Sequence, residues 1–216
     1  PYAAEENNWC LHQDVDGAKA LLDAAGWVPG PDGIRAKNGV RLKISYQTST
    51  NPVRQDVQAL VKGWWNEIGV EVELKNIDAS VYFGGDAGSP DTFQKFYADV
   101  EMYANNFDGT NPEAYLAGYL CSKIPGPDNQ WQGENIPRYC DAEYDKLVAE
   151  LANTSDMAKR GELAKKMNDM VSAVGMDSMA LIDRGRLSAA SNSLGGVVVN
   201  PWDTELWNAQ DWTRVK

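Results

Sequence analysis

Residues Val40 to Asn76 carry the pattern that most restricts this chain: an alternating strand, an amphipathic helix and a second alternating strand. Val40, Leu42, Ile44 and Tyr46 alternate with polar Arg41, Lys43 and Ser45, the period of two of a half-exposed strand. Asn51 and Pro52 open a helix over Val53 to Ile68, since a first-turn proline forfeits no hydrogen bond, and Gly69 closes it. Val57, Leu60, Val61, Trp64 and Trp65 form the stripe expected to face inward. Val70, Val72 and Leu74 supply the second strand. Strands joined through a helix pair in parallel by a right-handed crossover, so the expected fold class is α/β.

Weaker signals surround this unit. Asp14 or Asp16 can cap a helix over Gly17 to Ala25, with Ala18, Leu21, Leu22 and Ala25 on one face. Tyr97 to Ala104 reads as a third strand, and Glu113 to Leu120 as a short helix. The stretch from Cys121 to Cys140 carries Pro125, Gly126, Pro127, Gly133 and Pro137, which excludes long regular structure. Two helices follow: Ala142 to Ala152, with Tyr144, Leu147, Val148 and Leu151 inward, then one from Ser155 or Asp156 to Gly175, with Leu163, Met167, Met170 and Val171 inward. Short strands are expected at Met179 to Ile182 and Val197 to Val199. Trp202, Trp207 and Trp212 punctuate the last stretch without helical or strand period, so that tail should dock on its own domain or on another.

At 216 residues the chain bounds one domain or one and a half. A net charge of -11 argues against an electrostatic grip on nucleic acid or anionic lipid. No apolar run is long enough to span a bilayer. The first residues lack the basic and apolar regions of a signal peptide, and an initiating Met, so the chain reads as processed or excised. One His and three Cys without a C-x-x-C spacing make a zinc site improbable, and no other metal or cofactor is called for. There is no G-x-S-x-G elbow, no Walker A, no H-E-x-x-H and no G-x-G-x-x-G after a strand. Among enzymes, a hydrolase acting on peptides or sugars through paired carboxylates stays open, because 31 acidic residues always offer pairs. No pair is marked out.

Asn105, Asn106, Phe107 and Asp108 join the end of the third strand to a helix beginning at Pro112. Ligands of open α/β sheets gather at the carboxyl ends of strands, and an Asp beside two amides and an aromatic ring can fix a cationic, hydrogen-bonding solute. The same residues also suit a turn with an Asx cap. Trp131 can stack on a ligand or pack its own loop, and Tyr82 can supply a further apolar wall. Cys121 and Cys140 either bridge, which would remove denatured-state entropy worth about 3 kcal/mol, or stay as free buried thiols. A bridge would place the chain in an oxidising compartment and leave Cys10 as the odd one, either free or separated from a partner elsewhere.

Four stretches in order, Asp16 to Trp27, Asn51 to Leu74, Arg138 to Leu147, and Leu194 to Val197 with Asn200 to Trp202, resemble the peptide-type extracellular solute-binding proteins of ABC importers, the dipeptide and oligopeptide binding family 5. The resemblance implies the C-terminal lobe of a two-lobed bacterial protein, a periplasmic-binding-protein-like mixed sheet with helices packed on it. Residues 1–14 would be a linker, 15–195 the lobe, and 196–216 a Trp-rich segment crossing back toward the missing N-terminal lobe. It further implies a small-molecule or peptide ligand, membrane permease subunits as partners, a non-enzymatic role, and a periplasmic or extracellular location reached by a signal peptide absent here. In peptide-binding members an Asp four residues before a turn Pro grips the amino terminus, and Asp108 stands four before Pro112. Those members carry a Trp three residues before that Asp, whereas this chain has Asn105, which suits other amine-bearing or polyhydroxyl solutes equally well. The Cys121 and Cys140 pair resembles one shared by a branch of the family, favouring the bridge.

Overall fold

The structure is a computed structural model that describes residues 2, 4–105, 110–182, 188–200 and 203–215, the side chains of Glu6 and Cys10 excepted. It divides into two compact units, Pro1–Ser178 and Met179–Lys216.

In the first unit, α1 (Val15–Ala24) starts where the Asp14 carboxylate accepts the Gly17 N–H at 2.7 Å. Three short antiparallel strands follow, β1 (Val28–Pro29), β2 (Arg35–Lys37) and β3 (Val40–Arg41). Next comes the expected crossover: β4 (Lys43–Ser49), α2 (Pro52–Glu67) and β5 (Glu71–Ile77), with the strands parallel and in register from Lys43 opposite Glu71 to Ser49 opposite Ile77. After α3 (Ala79–Tyr82), β6 (Val100–Glu101) pairs in parallel with the other edge of β4, giving the order β5-β4-β6. Tyr46, Val61, Val70 and Val72 make the core between α2 and this sheet.

A second core lies under α4 (Glu113–Ala117), α5 (Ala142–Ala152) and α6 (Met157–Asn168). Its centre is Leu116, Tyr144, Leu147, Val148, Leu151, Leu163, Met167 and Val171, the inward faces that the 3.6-residue period marks in α5 and α6. Asp141 and Asp156 cap α5 and α6 through their carboxylates. Cys121 and Cys140 are joined by a disulfide, and the loop it closes is fixed from within by fully buried Asn135. The Asn135 amide donates to the carbonyls of Tyr119, Leu120 and Tyr139 and accepts the Tyr139 N–H.

Several expectations need correction. Leu60 and Trp64 are 57% and 50% exposed, because α2 turns the neighbouring stripe of Val57, Val61 and Trp65 inward and buries Gln58 instead. Gln58 tolerates this because its amide donates to the Tyr46 carbonyl and its oxygen accepts from Asn76. Leu21 of α1 is 74% exposed: an amphipathic stripe defines a face, not the partner that covers it. The third strand shrinks to Val100–Glu101, since Phe96 takes a left-handed conformation and, past β6, the Thr48 hydroxyl rather than a ladder N–H donates to the Met102 carbonyl. The helix after Pro112 stops at Ala117.

In the second unit neither Met179 to Ile182 nor Val197 to Val199 is a strand. Instead β7 (Leu194–Gly195) pairs with β8 (Thr213–Arg214). The Val198 carbonyl is taken by the Trp207 indole N–H at 2.7 Å, and Trp212 donates to Asn208. Trp202 lies outside the described residues.

Gly69 and Arg35 tie the sheet to the segment before it. At Gly69, φ is +90° and an added Cβ would fall 2.7 Å from Arg35 Cγ, so the turn from α2 into β5 needs glycine. Arg35 is only 4% exposed; it donates to the Ile68 carbonyl at 2.8 Å and the Trp27 carbonyl at 2.6 Å, and pairs with Asp23. Arg35→Ala leaves those two carbonyls without their donor and is expected to cost about 2–4 kcal/mol in urea unfolding. Asp23→Ala, at the exposed end of the pair, should cost under about 1 kcal/mol.

Candidate functional site

The carboxyl end of β6 is held by polar side chains sealed inside the fold. Gln47, Thr48 and Ser49 of β4 are all buried. Thr48 Oγ1 donates to the Met102 carbonyl at 2.6 Å, and the Gln47 amide donates to the Glu101 carboxyl. These bonds fix where the chain leaves the sheet, at Tyr103 to Asn105.

A cavity of about 220 Å³ opens there, lined among the described residues by Tyr103, Asn105, Ala114, Tyr115, Gly118, Tyr119 and Glu134. The i, i+4 spacing of Tyr115 and Tyr119 puts both rings on one side of the α4 turn, edge to face at 5.7 Å with their hydroxyls 3.1 Å apart. Burial pushes the Tyr103 hydroxyl up to about 12 and that of Tyr119 higher still, against a hydrogen bond with Ser178 that pulls it down. Tyr103 and Tyr119 therefore stay neutral near pH 7, able to donate or accept. A cavity of about 150 Å³ holds a benzene ring, so this one has room for a side chain or a small solute group.

Of the residues singled out from sequence, Asn105 is in the cavity wall, and Asn106, Phe107 and Asp108 lie outside the described residues. Tyr82 has no exposed surface; it packs against Phe83 and Phe93, and the side chain that reaches solvent is its neighbour Phe83, 41% exposed beneath the Arg54 guanidinium. Trp131 is half-buried, with Tyr97 at its edge and the Lys95 ammonium 3.6 Å over its ring. Neither Tyr82 nor Trp131 lines the cavity. The three cavity tyrosines escaped the sequence reading, although the Tyr115 and Tyr119 spacing was available as a signal.

Glu101, at the end of β6, has one oxygen bonded to Gln47, while its buried Oε2 has no partner among the described residues. Burial pushes its carboxyl up to about 8, against the Gln47 hydrogen bond and the Arg138 charge. A carboxyl whose proton is held more tightly in the fold than in the open chain stabilises the fold fully below its ordinary value of 4.5. That contribution is lost as pH rises toward 8. Unfolding in urea from pH 5 to pH 8 should show stability falling by up to about 1.4 kcal/mol per pH unit from this group, and Glu101→Gln should flatten the slope.

Residues 1–126 match the sequence model of the bacterial extracellular solute-binding proteins, family 5, middle region. The chain is similar to a dipeptide-binding protein of Pseudomonas aeruginosa, 28% identical over 156 residues that cover 71% of this chain and 25% of that protein. It is also similar to the oligopeptide-binding protein AppA of Bacillus subtilis, 23% identical over 228 residues that cover 97% of this chain and 38% of the relative. Among solved structures, it shares its fold with an oligopeptide-binding protein of Thermus thermophilus complexed with a pentapeptide, at a TM-score of 0.64, 24% identity, and 77% and 29% coverage of the two chains. NikZ from Campylobacter jejuni in complex with Ni(L-His) gives a TM-score of 0.65 at 19% identity, covering 93% of this chain and 39% of that one. The parallel sheet with helices packed on it is the α/β lobe of such periplasmic-binding-protein structures. The chain spans about a quarter of the length of the Pseudomonas relative.

Proposed function

This chain belongs to the family 5 bacterial extracellular solute-binding proteins, and from that premise we propose that it is part of the substrate-binding component of an ABC importer, capturing a small solute such as a peptide between two lobes. The observation that carries this reading is the cavity at the carboxyl end of β6, where Asn105 shares the wall with Tyr103, Tyr115 and Tyr119. Parallel sheets collect ligands at that end, and hydroxyls and an amide set on aromatic walls orient a polar solute without reacting with it. The printed names of the relatives, dipeptide-binding and oligopeptide-binding, favour a peptide.

On this reading residues 15–195 form the C-terminal lobe, 1–14 lead into it, and 196–216 return toward an N-terminal lobe outside this chain. Asn105, Asn106, Phe107 and Asp108 orient the solute, with Trp131 and, in place of sealed Tyr82, Phe83 as aromatic surface. Permease subunits in the membrane receive the solute from the closed protein. The disulfide between Cys121 and Cys140 supports a periplasmic or extracellular location reached by a signal peptide, since such bridges persist in oxidising compartments.

Titrating the 216-residue chain with di- and tripeptides, followed by calorimetry, should give saturable binding, and Asn105→Ala should weaken it about tenfold, or about 1.4 kcal/mol. Mass spectrometry of the incubated peptide should recover it intact. No saturable binding by any peptide, or cleavage of the peptide, would overturn the proposal.

A further inference from the structure

The cavity beyond β6 has one wall that the proposed function leaves unused, the Glu134 side chain. Its backbone is set from both sides. A Cβ on Gly133 would fall 2.2 Å from the Lys123 carbonyl oxygen and 2.5 Å from the Pro125 nitrogen, so glycine is what lets this segment press on the start of its own loop. On the other side Asn135 is fully buried, and its N–H donates to the same Lys123 carbonyl at 3.0 Å. Gly118, just past α4, completes the seat: a Cβ there would lie 3.9 Å from Glu134 Cβ and 3.0 Å from the Tyr115 carbonyl oxygen. The fixed backbone thus presents a side chain that belongs to the cavity wall and is 64% exposed, open to an incoming group.

Among the described residues lining the cavity, Glu134 is the one with a formal charge. Hydroxyls and an amide serve a solute group of either sign, so the carboxylate decides which sign is favoured. The tyrosine rings favour the same sign, because an aromatic face attracts a cation. A net charge of -11 on the whole chain adds to that preference. Glu134 already holds one ammonium, that of Lys123 at 3.2 Å, which lies outside the described cavity lining. With side chains 46% and 64% exposed, such a pair contributes little, so a second cation can join or displace Lys123 at small cost.

Resting on the proposed function, we infer that the cavity selects a solute bearing a cationic side chain, whose ammonium or guanidinium is received by Glu134 beside Tyr115 and Tyr119. At about 220 Å³ the cavity also has room for the aliphatic stem behind that charge. The substrate class is then basic peptides rather than peptides at large.

The test uses the 216-residue chain and tripeptides with both termini free: tri-alanine, Lys-Ala-Ala, Ala-Lys-Ala, Ala-Ala-Lys, and the last three with the lysine Nε-acetylated. Acetylation keeps the stem and the termini and removes only the side-chain charge. At the position whose side chain enters the cavity, the lysine peptide should bind the unaltered chain about tenfold tighter than its acetylated counterpart. Glu134→Gln should bind the two alike, and Glu134→Lys should favour the acetylated one. If peptides bind but no position shows the preference, or the preference survives in either variant, the inference fails and the proposed function stands. If no probe binds at all, tri-alanine included, both fail. Thermal unfolding of the two variants, expected to match the unaltered chain within a few degrees because the side chain is exposed, separates lost binding from lost folding.

Discussion

The parallel pairing of β4 with β5 is the constraint on which the first unit depends. A parallel pair cannot be closed by a tight turn, so the chain must travel the length of α2 and come back, and the strand ends finish buried beneath it. Buried strand ends must still satisfy their polar groups. Here side chains do so: Gln58 reaches the Tyr46 carbonyl, Asn76 reaches Gln58, Thr48 reaches the Met102 carbonyl, and Gln47 reaches Glu101. The short β6 is held as much by these bonds as by its ladder, and the cavity inherits its position from them. Shifting β4 by one residue would exchange the faces to which Gln47 and Thr48 point and break both of their bonds.

A different device holds the Cys-flanked loop. Between Cys121 and Cys140 prolines and glycines leave little apolar surface to bury, so a covalent bond and one amide replace a core. Asn135 takes three carbonyls and one N–H, and the Cys121 N–H reaches the Asp145 carboxylate of α5. Glu134, beside that asparagine, reaches the cavity wall, which links the loop to the space beyond β6.

Periodicity made β4, α2, β5, α5 and α6 legible before any coordinates, because each buries a face whose spacing is set by its own backbone. What stayed hidden depends on partners distant in sequence. Gln58 and Asn135 read as surface residues until the acceptors that bury them are known, and Leu60 and Trp64 read as core because the helical period alone does not distinguish adjacent stripes. The candidate site divides in the same way. Asn105 was marked by its place after a strand, whereas Tyr103, Tyr115 and Tyr119 come together through the turn at Pro112. Tyr82 was misplaced because an aromatic beside a glycine-rich loop has the same local signature whether it faces solvent or, as here, Phe93. The expected strand at Val197 failed where a short apolar run met an indole donor at Val198 and a positive φ at Gly196 that local propensity does not register.

Burial gives the site its chemical character. Removing Tyr103, Tyr119 and Glu101 from water raises the cost of ionising each, so these groups remain neutral donors in a chain that is otherwise strongly acidic. Two cations of the neighbouring loops are backed by rings, Lys95 by Trp131 and Arg138 by Phe96. Neutral hydroxyls can exchange partners with a polar solute at little desolvation cost. Under the proposed function, the tyrosines accept many polar groups, and selectivity among them comes from how their hydroxyls and Asn105 are placed around the cavity.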